Sequence, residues 1–402
     1  MKLSIYNITE KSERNTILYN SSNGSCVVFE NERFAEYERC NLFVDEFYRQ
    51  GFYVDDDKDE FVELVKKSDE IIHKNDFLKF RILTTTGCNA KCPYCYEKGI
   101  ASSFMNDDVA KAVVQFIKSK HDDQKKYVEI EWFGGEPLLN TKAIDYICAE
   151  LNEAGINFFS SMVSNAYLID DNVLDKMSSL WNLKKIQITL DGRKEEYEKI
   201  KGMGAGSYEK VISIINRLSE RKIKVDIRLN FNKENFGEIK LLIEELSKYG
   251  FNNYVEVYIA KIFDYNKTEQ FTLEDEMIAL YDDLHKFKLL TRLKLLPRSL
   301  ETGCMAYYPN FFTIDPKGRL FKCDRRLLDK NSIANVFNYE DCDIEVNVDY
   351  NFPEKCKKCS ILPTCWGGCL YERMTGENTC YMTEKIYQQR LSLMLKDYEK
   401  GV

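Results

Sequence analysis

At 402 residues, 44% hydrophobic and 30% charged, the chain is long enough to bury a large core, and its ordinary composition excludes a disordered or low-complexity protein. A formal net charge of -8, carried by charges of both signs, gives no reason to expect nucleic acid as a partner. No apolar run approaches a membrane span and the N-terminus MKLSIYNITEKSERN lacks the apolar core of a signal peptide, so a cytoplasmic protein without a membrane partner is expected.

Cysteine usage is the outlier. Fourteen cysteines in a cytoplasmic chain stay reduced, so close spacings read as metal or cluster ligands before disulfides. The three histidines, His73, His121 and His285, lie beside no cysteine cluster, which disfavours zinc hydrolases and His-based triads; each is expected at the surface.

Residues 1–75 read as a small α+β module of winged-helix type. LSIYNI and TILYN lead through the turn SSNGS, with Asn23-Gly24 at a hairpin, into CVVFE. Helix-like stretches over 33–50 and 59–72 follow, with GFYV between them.

From Leu78 a strand-then-helix alternation begins, and residues 76–292 are expected as one domain. Strands are expected at 78–85, 127–133, 156–164, 184–190, 223–230 and 254–260, with helices such as DDVAKAVVQFIKS, TKAIDYICAELNEA, SYEKVISIINRLSER and GEIKLLIEELSKYG between them. Parallel strands need crossover helices, so six such units imply an α/β fold with a partial (β/α)6 TIM-like barrel. Reactive groups in such barrels sit where strands end. Cys88, Cys92 and Cys95, spaced C-x3-C-x2-C, follow the first strand. Gly134, Gly135, Glu136 and Pro137 follow the second, Ser164 and Asn165 close the third, Asp191 follows the fourth, and Arg228 and Asn230 close the fifth. Three thiolates on a four-iron cubane leave one iron free for a reactant, whereas a zinc loop wants a fourth Cys or His, and none lies within 74–120.

A second constellation occupies residues 293–385: Cys304-x13-Gly318-x4-Cys323, then Cys356-x2-Cys359-x5-Cys365-x3-Cys369, then Cys380. FFTIDPKGRLFKC reads as a hairpin turning at Pro316 to Gly318, which would bring Cys304 and Cys323 together. One or two zinc-ribbon sites remain an alternative on ligand count. Cys26, Cys40, Cys148 and Cys342 match no spacing and are expected as small buried residues. Residues 386–402 are expected as a C-terminal helix.

The C-x3-C-x2-C loop with Tyr94 before its last cysteine, and GGEP after strand two, resemble the radical S-adenosylmethionine (SAM) superfamily. The C-terminal spacing is similar to the SPASM domain of its peptide-modifying members. The resemblance implies three 4Fe-4S clusters: one on Cys88, Cys92 and Cys95 that binds SAM, one auxiliary cluster on Cys304, Cys323 and Cys369, and a second on Cys356, Cys359, Cys365 and Cys380. It implies SAM contacts from Tyr94, Gly134, Gly135, Glu136, Pro137, Ser164, Asn165, Asp191, Arg228 and Asn230, although Ser164-Asn165-Ala166 departs from the more usual Thr-Asn-Gly. Asp324 falls where sulfatase-maturing relatives carry a proposed base, but the cysteine those relatives place in the C-x13-G interval is missing from 305–317.

What the resemblance implies is an oxidoreductase that makes a 5'-deoxyadenosyl radical and abstracts hydrogen from a ribosomally made precursor peptide. Residues 1–75 would recognise its leader as an added strand, or else serve as a structural cap over one end of the core, and a flavodoxin- or ferredoxin-type reductant would supply the electron. A Cys-derived thioether of sactipeptide or ranthipeptide type is the leading product. The alternatives are formylglycine formation in a sulfatase, a carbon–carbon or carbon–oxygen crosslink, and a non-catalytic metal-cluster scaffold.

Overall fold

The computed structural model describes residues 1–74, 77–121, 127–262, 273–290, 295, 303–327, 329–339, 351–374, 380 and 382–401. The chain divides into two compact units, one of Met1–Lys74, Gln270–Tyr307 and Asn347–Val402, the other of Asn75–Glu269 and Tyr308–Val346.

In the first unit, β1 (Lys2–Leu3) pairs antiparallel with β5 (Tyr53–Val54), while β2 (Asn7–Lys11), β3 (Asn15–Asn20) and β4 (Cys26–Glu30) form an antiparallel sheet in that order. The turn before β4 carries Gly24 at φ 79°, as the Asn-Gly pair predicts. The helix expected over 33–50 is instead two, α1 (Phe34–Glu38) and α2 (Val44–Arg49), because Cys40 and Phe43 adopt left-handed φ of 54° and 45° that a helix cannot continue through. Those turns pack Tyr37, Leu42, Phe47, Phe52 and Tyr53 into one apolar cluster with Leu18 and Phe29. The helix α3 (Glu60–Ile72) starts at Asp59, whose side chain accepts the Phe61 and Val62 amides. A C-terminal helix, Glu384–Glu399, lays Tyr387, Leu391 and Met394 against Ile8, Ile17 and Tyr19 of the sheet.

The second unit is built on six parallel strands: β6 (Phe77–Thr85), β7 (Tyr127–Gly134), β8 (Phe158–Ser164), β9 (Leu183–Leu190), β10 (Lys224–Phe231) and β11 (Val255–Lys261), each paired with the next in chain order. Between them run α4 (Asp107–Lys120), α5 (Thr141–Glu153), α6 (Asp171–Ser179), α7 (Lys194–Lys201), α8 (Ser207–Glu220) and α9 (Phe236–Leu246). Ile82, Ile130, Ile188 and Ile227 are wholly buried along the strands. The six strands fall within one to two residues of their expected bounds, because period-2 burial and the crossover helices leave one register for each. The hairpin over 311–321 also forms: β12 (Phe311–Ile314) and β13 (Arg319–Phe321) turn through Gly318 at φ 76°, and β12 pairs parallel with the free edge of β6. With β14 (Ala334–Asn335) the sheet reaches nine strands, a mixed α/β fold with a partial barrel-like sheet.

Two expectations fail. Cys26 is exposed and Cys40 half-buried, so of the unassigned cysteines only Cys148, on the inner face of α5, is buried; Cys342 lies outside the described residues. His285 is no plain surface residue, since its Nε2 lies 2.9 Å from Asp397 on the C-terminal helix. Among the described residues no helix is long and apolar enough to cross a membrane.

Candidate active site

Parallel pairing puts the carboxyl ends of β6 to β10 on one edge of the sheet, so the residues after each strand meet there. The cysteine loop leaves β6 at Thr85 and is closed on itself: Thr85 Oγ1 donates to Ser103 O at 2.8 Å and Thr86 Oγ1 to Ala101 O at 2.8 Å. Cys88 and Cys95 are exposed and Cys92 half-buried. The Cys88 thiol is pushed up to about 11, by burial first, against the Ala90 amide and with the charges of Glu136, Cys92 and Cys95.

The GGEP segment packs on this loop. Gly135 N donates to Thr85 O at 3.2 Å and Glu136 N to Gly87 O at 2.9 Å. A β-carbon on Gly134 would fall 2.1 Å from Thr85 O, and one on Gly135 2.3 Å from Gly87 O. The close approach that requires glycine here is thus between two stretches of the chain's own backbone. Glu136 is fully buried. Its carboxylate accepts from Ser164 Oγ at 2.8 Å, Asn165 N at 2.8 Å and Leu138 N at 3.2 Å. Burial nonetheless pushes it up to about 7 against those donors and the Lys201 charge. Asn165 Nδ2 reaches Asn89 Oδ1 at 2.8 Å, so strand ends two and three are both fastened to the cysteine loop.

Ends four and five converge on Tyr94. Its hydroxyl donates to Asp191 and lies 3.3 Å from Asn230 Nδ2, whose Oδ1 accepts from Arg228 Nε at 2.8 Å. Asp191 is fully buried, and its other oxygen lies 2.8 Å from Lys201 Nζ. Lys201 was not predicted: it stands in the charged helix KEEYEKIK, where nothing in the sequence separates a buried lysine from solvated ones.

A second polar group lies at the base of β13. Asp324 pairs with Arg81 of β6 and accepts from Tyr96 Oη at 3.1 Å. Arg81 also pairs with Glu131 of β7 at 2.6 Å and stacks over Phe133. Beside them the Glu97 carboxylate is buried; burial, then the Asp324 charge, pushes it up to about 7, and a hydrogen bond with the Tyr96 side chain opposes this. Arg81 was legible as a charge inside an apolar strand, and Tyr96 and Glu97 as neighbours of Cys95.

In the other unit, Cys356, Cys359, Cys365 and Cys380 line one cavity of about 40 Å³ with Ile361, Leu362 and Met382. The Cys365 thiol is pushed up to about 11 by burial, against the Gly368 amide and with the charges of Cys359, Cys356 and Cys380. Among the described residues no three His, Cys, Asp or Glu side chains converge on one metal ion. A cubane holds each thiolate on a separate corner iron, so ligands that line a cavity without meeting at a point fit it. Cys304 and Cys369 belong to this same unit and Cys323 to the other. A more open cavity of about 710 Å³, between the β2–β3 turn and the C-terminal helix, is lined by none of the expected site residues.

Residues 82–246, which hold the cysteine loop and all the strand ends above, match the sequence model of the Radical SAM superfamily. That stretch carries a radical SAM domain. The chain is similar to a cysteine-type anaerobic sulfatase-maturating enzyme of Clostridium perfringens, 24% identical, with 73% of this chain and 89% of that protein covered. Its fold is shared with the solved structure of native anSMEcpe with bound AdoMet and Cp18Cys peptide, at a TM-score of 0.60 and 18% identity over 81% of this chain and 98% of that one. It is also shared with Streptococcus suis SuiB bound to precursor peptide SuiA, at 0.53 and 16% over 96% and 99%.

Proposed function

We propose that this radical SAM enzyme acts on a peptide segment and oxidises a cysteine or serine side chain to formylglycine, with Asp324 as the base. The supporting observation is the setting of Asp324: a carboxylate beside Cys323, held by Arg81 and Tyr96 next to the cysteine loop. Likeness to a sulfatase-maturating enzyme over most of that protein's length supports the same reading.

Cys88, Cys92 and Cys95 would hold the SAM cluster, Cys356, Cys359, Cys365 and Cys380 one auxiliary cluster, and Cys304, Cys323 and Cys369 another. When bound, these groups supply one-electron cleavage of SAM to a hydrogen-abstracting radical and an outlet for the second electron. The chain's own residues do the rest. The backbone of Gly134 to Pro137 offers carbonyl acceptors for the SAM ammonium; Ser164, Asn165, Arg228 and Asn230 would border its carboxylate and ribose. As the substrate carbon loses a hydrogen atom, its sulfur or oxygen loses a proton to Asp324, which Arg81 keeps aimed; loss of the second electron leaves an aldehyde from serine, and from cysteine a thioaldehyde that takes up water and releases hydrogen sulfide. A flavodoxin- or ferredoxin-type protein would be the reductant.

A crosslinking maturase that forms a Cys-derived thioether is the second reading. It is favoured by the N-terminal module, whose β4 pairs on one side only and so offers an edge to a leader peptide, and by the absence of a cysteine from 305–317, which leaves the first auxiliary cluster a ligand short. One anaerobic incubation with SAM, dithionite and a synthetic sulfatase-type peptide bearing the target cysteine separates the two. A hydrazine-reactive aldehyde is expected on the peptide. Abundant 5'-deoxyadenosine with no aldehyde overturns the formylglycine reading, and loss of two hydrogens from a thiol-bearing leader peptide would favour the crosslink.

A further inference from the structure

Among the described residues, the Lys201–Asp191 ion pair is a buried pair beside the cysteine loop that the functional reading leaves unused. The two side chains are 5% and 0% exposed and 2.8 Å apart. Burying two charges costs several kcal/mol per ion unless geometry and neighbours offset it. A surface pair would hold α7 to the sheet as well, so the burial calls for another reason.

The surroundings supply one. Lys201 ends α7, which Gly202 closes in the left-handed conformation at φ 63°. The Lys201 carbonyl accepts the Lys91 amide at 2.8 Å, so the residue is stitched to the backbone immediately before Cys92. Asp191, its partner, takes the hydroxyl of Tyr94, which lies between Cys92 and Cys95. The loop is gripped from both sides by one pair. The Lys201 ammonium is thus buried against the carboxylate that also holds Tyr94, the residue between Cys92 and Cys95. Paired with a buried carboxylate, the ammonium sets a positive charge beside the loop whose sulfurs would become negative, in a setting of low dielectric where charge acts strongly over several ångströms.

We propose that Lys201 is a positioning and charge-compensating residue of the SAM cluster: it stabilises the reduced, more negative cluster and so raises its midpoint potential, while Asp191 orients it and tempers its charge. Asp191 is then a partner of Lys201 and Tyr94. The inference rests on Cys88, Cys92 and Cys95 holding the cluster and is independent of the peptide substrate.

The test is a redox titration of the anaerobically purified full chain, following the component of the reduced-cluster EPR signal that changes when SAM is added. Lys201→Met is expected to lower the midpoint by about 59 mV, a tenfold change in the one-electron equilibrium. Asp191→Asn, which leaves the lysine uncompensated, is expected to raise it, and Lys201→Arg to stay near the parent. Equal midpoints in all variants that retain iron, or the same direction of shift for Lys201→Met and Asp191→Asn, would overturn the proposal. Should Lys201→Met fail to fold, the opposite-signed Asp191→Asn shift and the Lys201→Arg control still decide. A parent protein with no SAM-sensitive signal would instead sink the cluster assignment.

Discussion

Glu136 and Asn165, the ends of two neighbouring strand units, are joined by a hydrogen bond of 2.8 Å from the Asn165 amide to the buried Glu136 carboxylate. Ser164 Oγ adds a second donor at 2.8 Å. Ser164→Ala leaves this buried carboxylate short of a partner and should cost about 1.5–3 kcal/mol, the range for hydrogen bonds to charged groups, read as a lower thermal midpoint by circular dichroism. The sign with pH follows from the raised pKa. Glu136 moves from 4.5 in the unfolded chain to about 7, so the stability it contributes is full below 4.5 and lost as pH rises toward 7. Glu136→Gln should flatten the stability profile between those values, and an unchanged slope would count against the assignment.

Gly135→Ala tests the backbone contact under the cysteine loop. The new methyl would meet the Gly87 carbonyl at 2.3 Å, and neither backbone can yield without moving Cys88. Overpacking of this kind costs about 1–3 kcal/mol. Iron analysis should find the SAM cluster lost while iron on the C-terminal cysteines remains; full iron content with normal SAM cleavage would show that the contact is dispensable.

The cysteines sort by iron. Cys365→Ala removes a wall of the four-cysteine cavity and should lose roughly four irons, one cubane. Cys148→Ala, in an apolar setting where burial pushes the thiol pKa far up, should keep all iron and cost about 1 kcal/mol. Equal iron loss in both variants would mean a general folding defect and no site at residues 356–380.

Asp324→Asn keeps the shape of the side chain and removes its basicity. Product formation should fall by about 10²- to 10⁴-fold, the usual contribution of a general base, while reductive formation of 5'-deoxyadenosine continues. Parallel loss of both would place Asp324 in cluster assembly and not in substrate chemistry.

A leader peptide that adds a strand to β4 should slow hydrogen exchange at the amides of Cys26 to Glu30, since only one side of this strand is paired in the sheet. Mass-spectrometric exchange with and without a leader-bearing peptide reads this directly. Protection elsewhere, with β4 unaffected, would reject the edge as the docking strand.

The sequence by itself determined the six parallel strands and the closely spaced cysteines that are candidate ligands, because both are written locally: hydrophobic period fixes element type, and thiol spacing within a loop needs no long-range information. It also located Glu136 and Ser164. What only the tertiary structure decided is what those groups touch. The two glycines of GGEP face Thr85 and Gly87, some fifty residues earlier in the chain, and a lysine from a helix that reads as solvent-exposed is buried against Asp191 and Tyr94. The single helix expected over 33–50 failed for the same reason, since left-handed Cys40 and Phe43 gain an aromatic core that no local propensity encodes. Burial and pairing of charge arise from contacts between distant segments, and single-residue patterns carry no record of them.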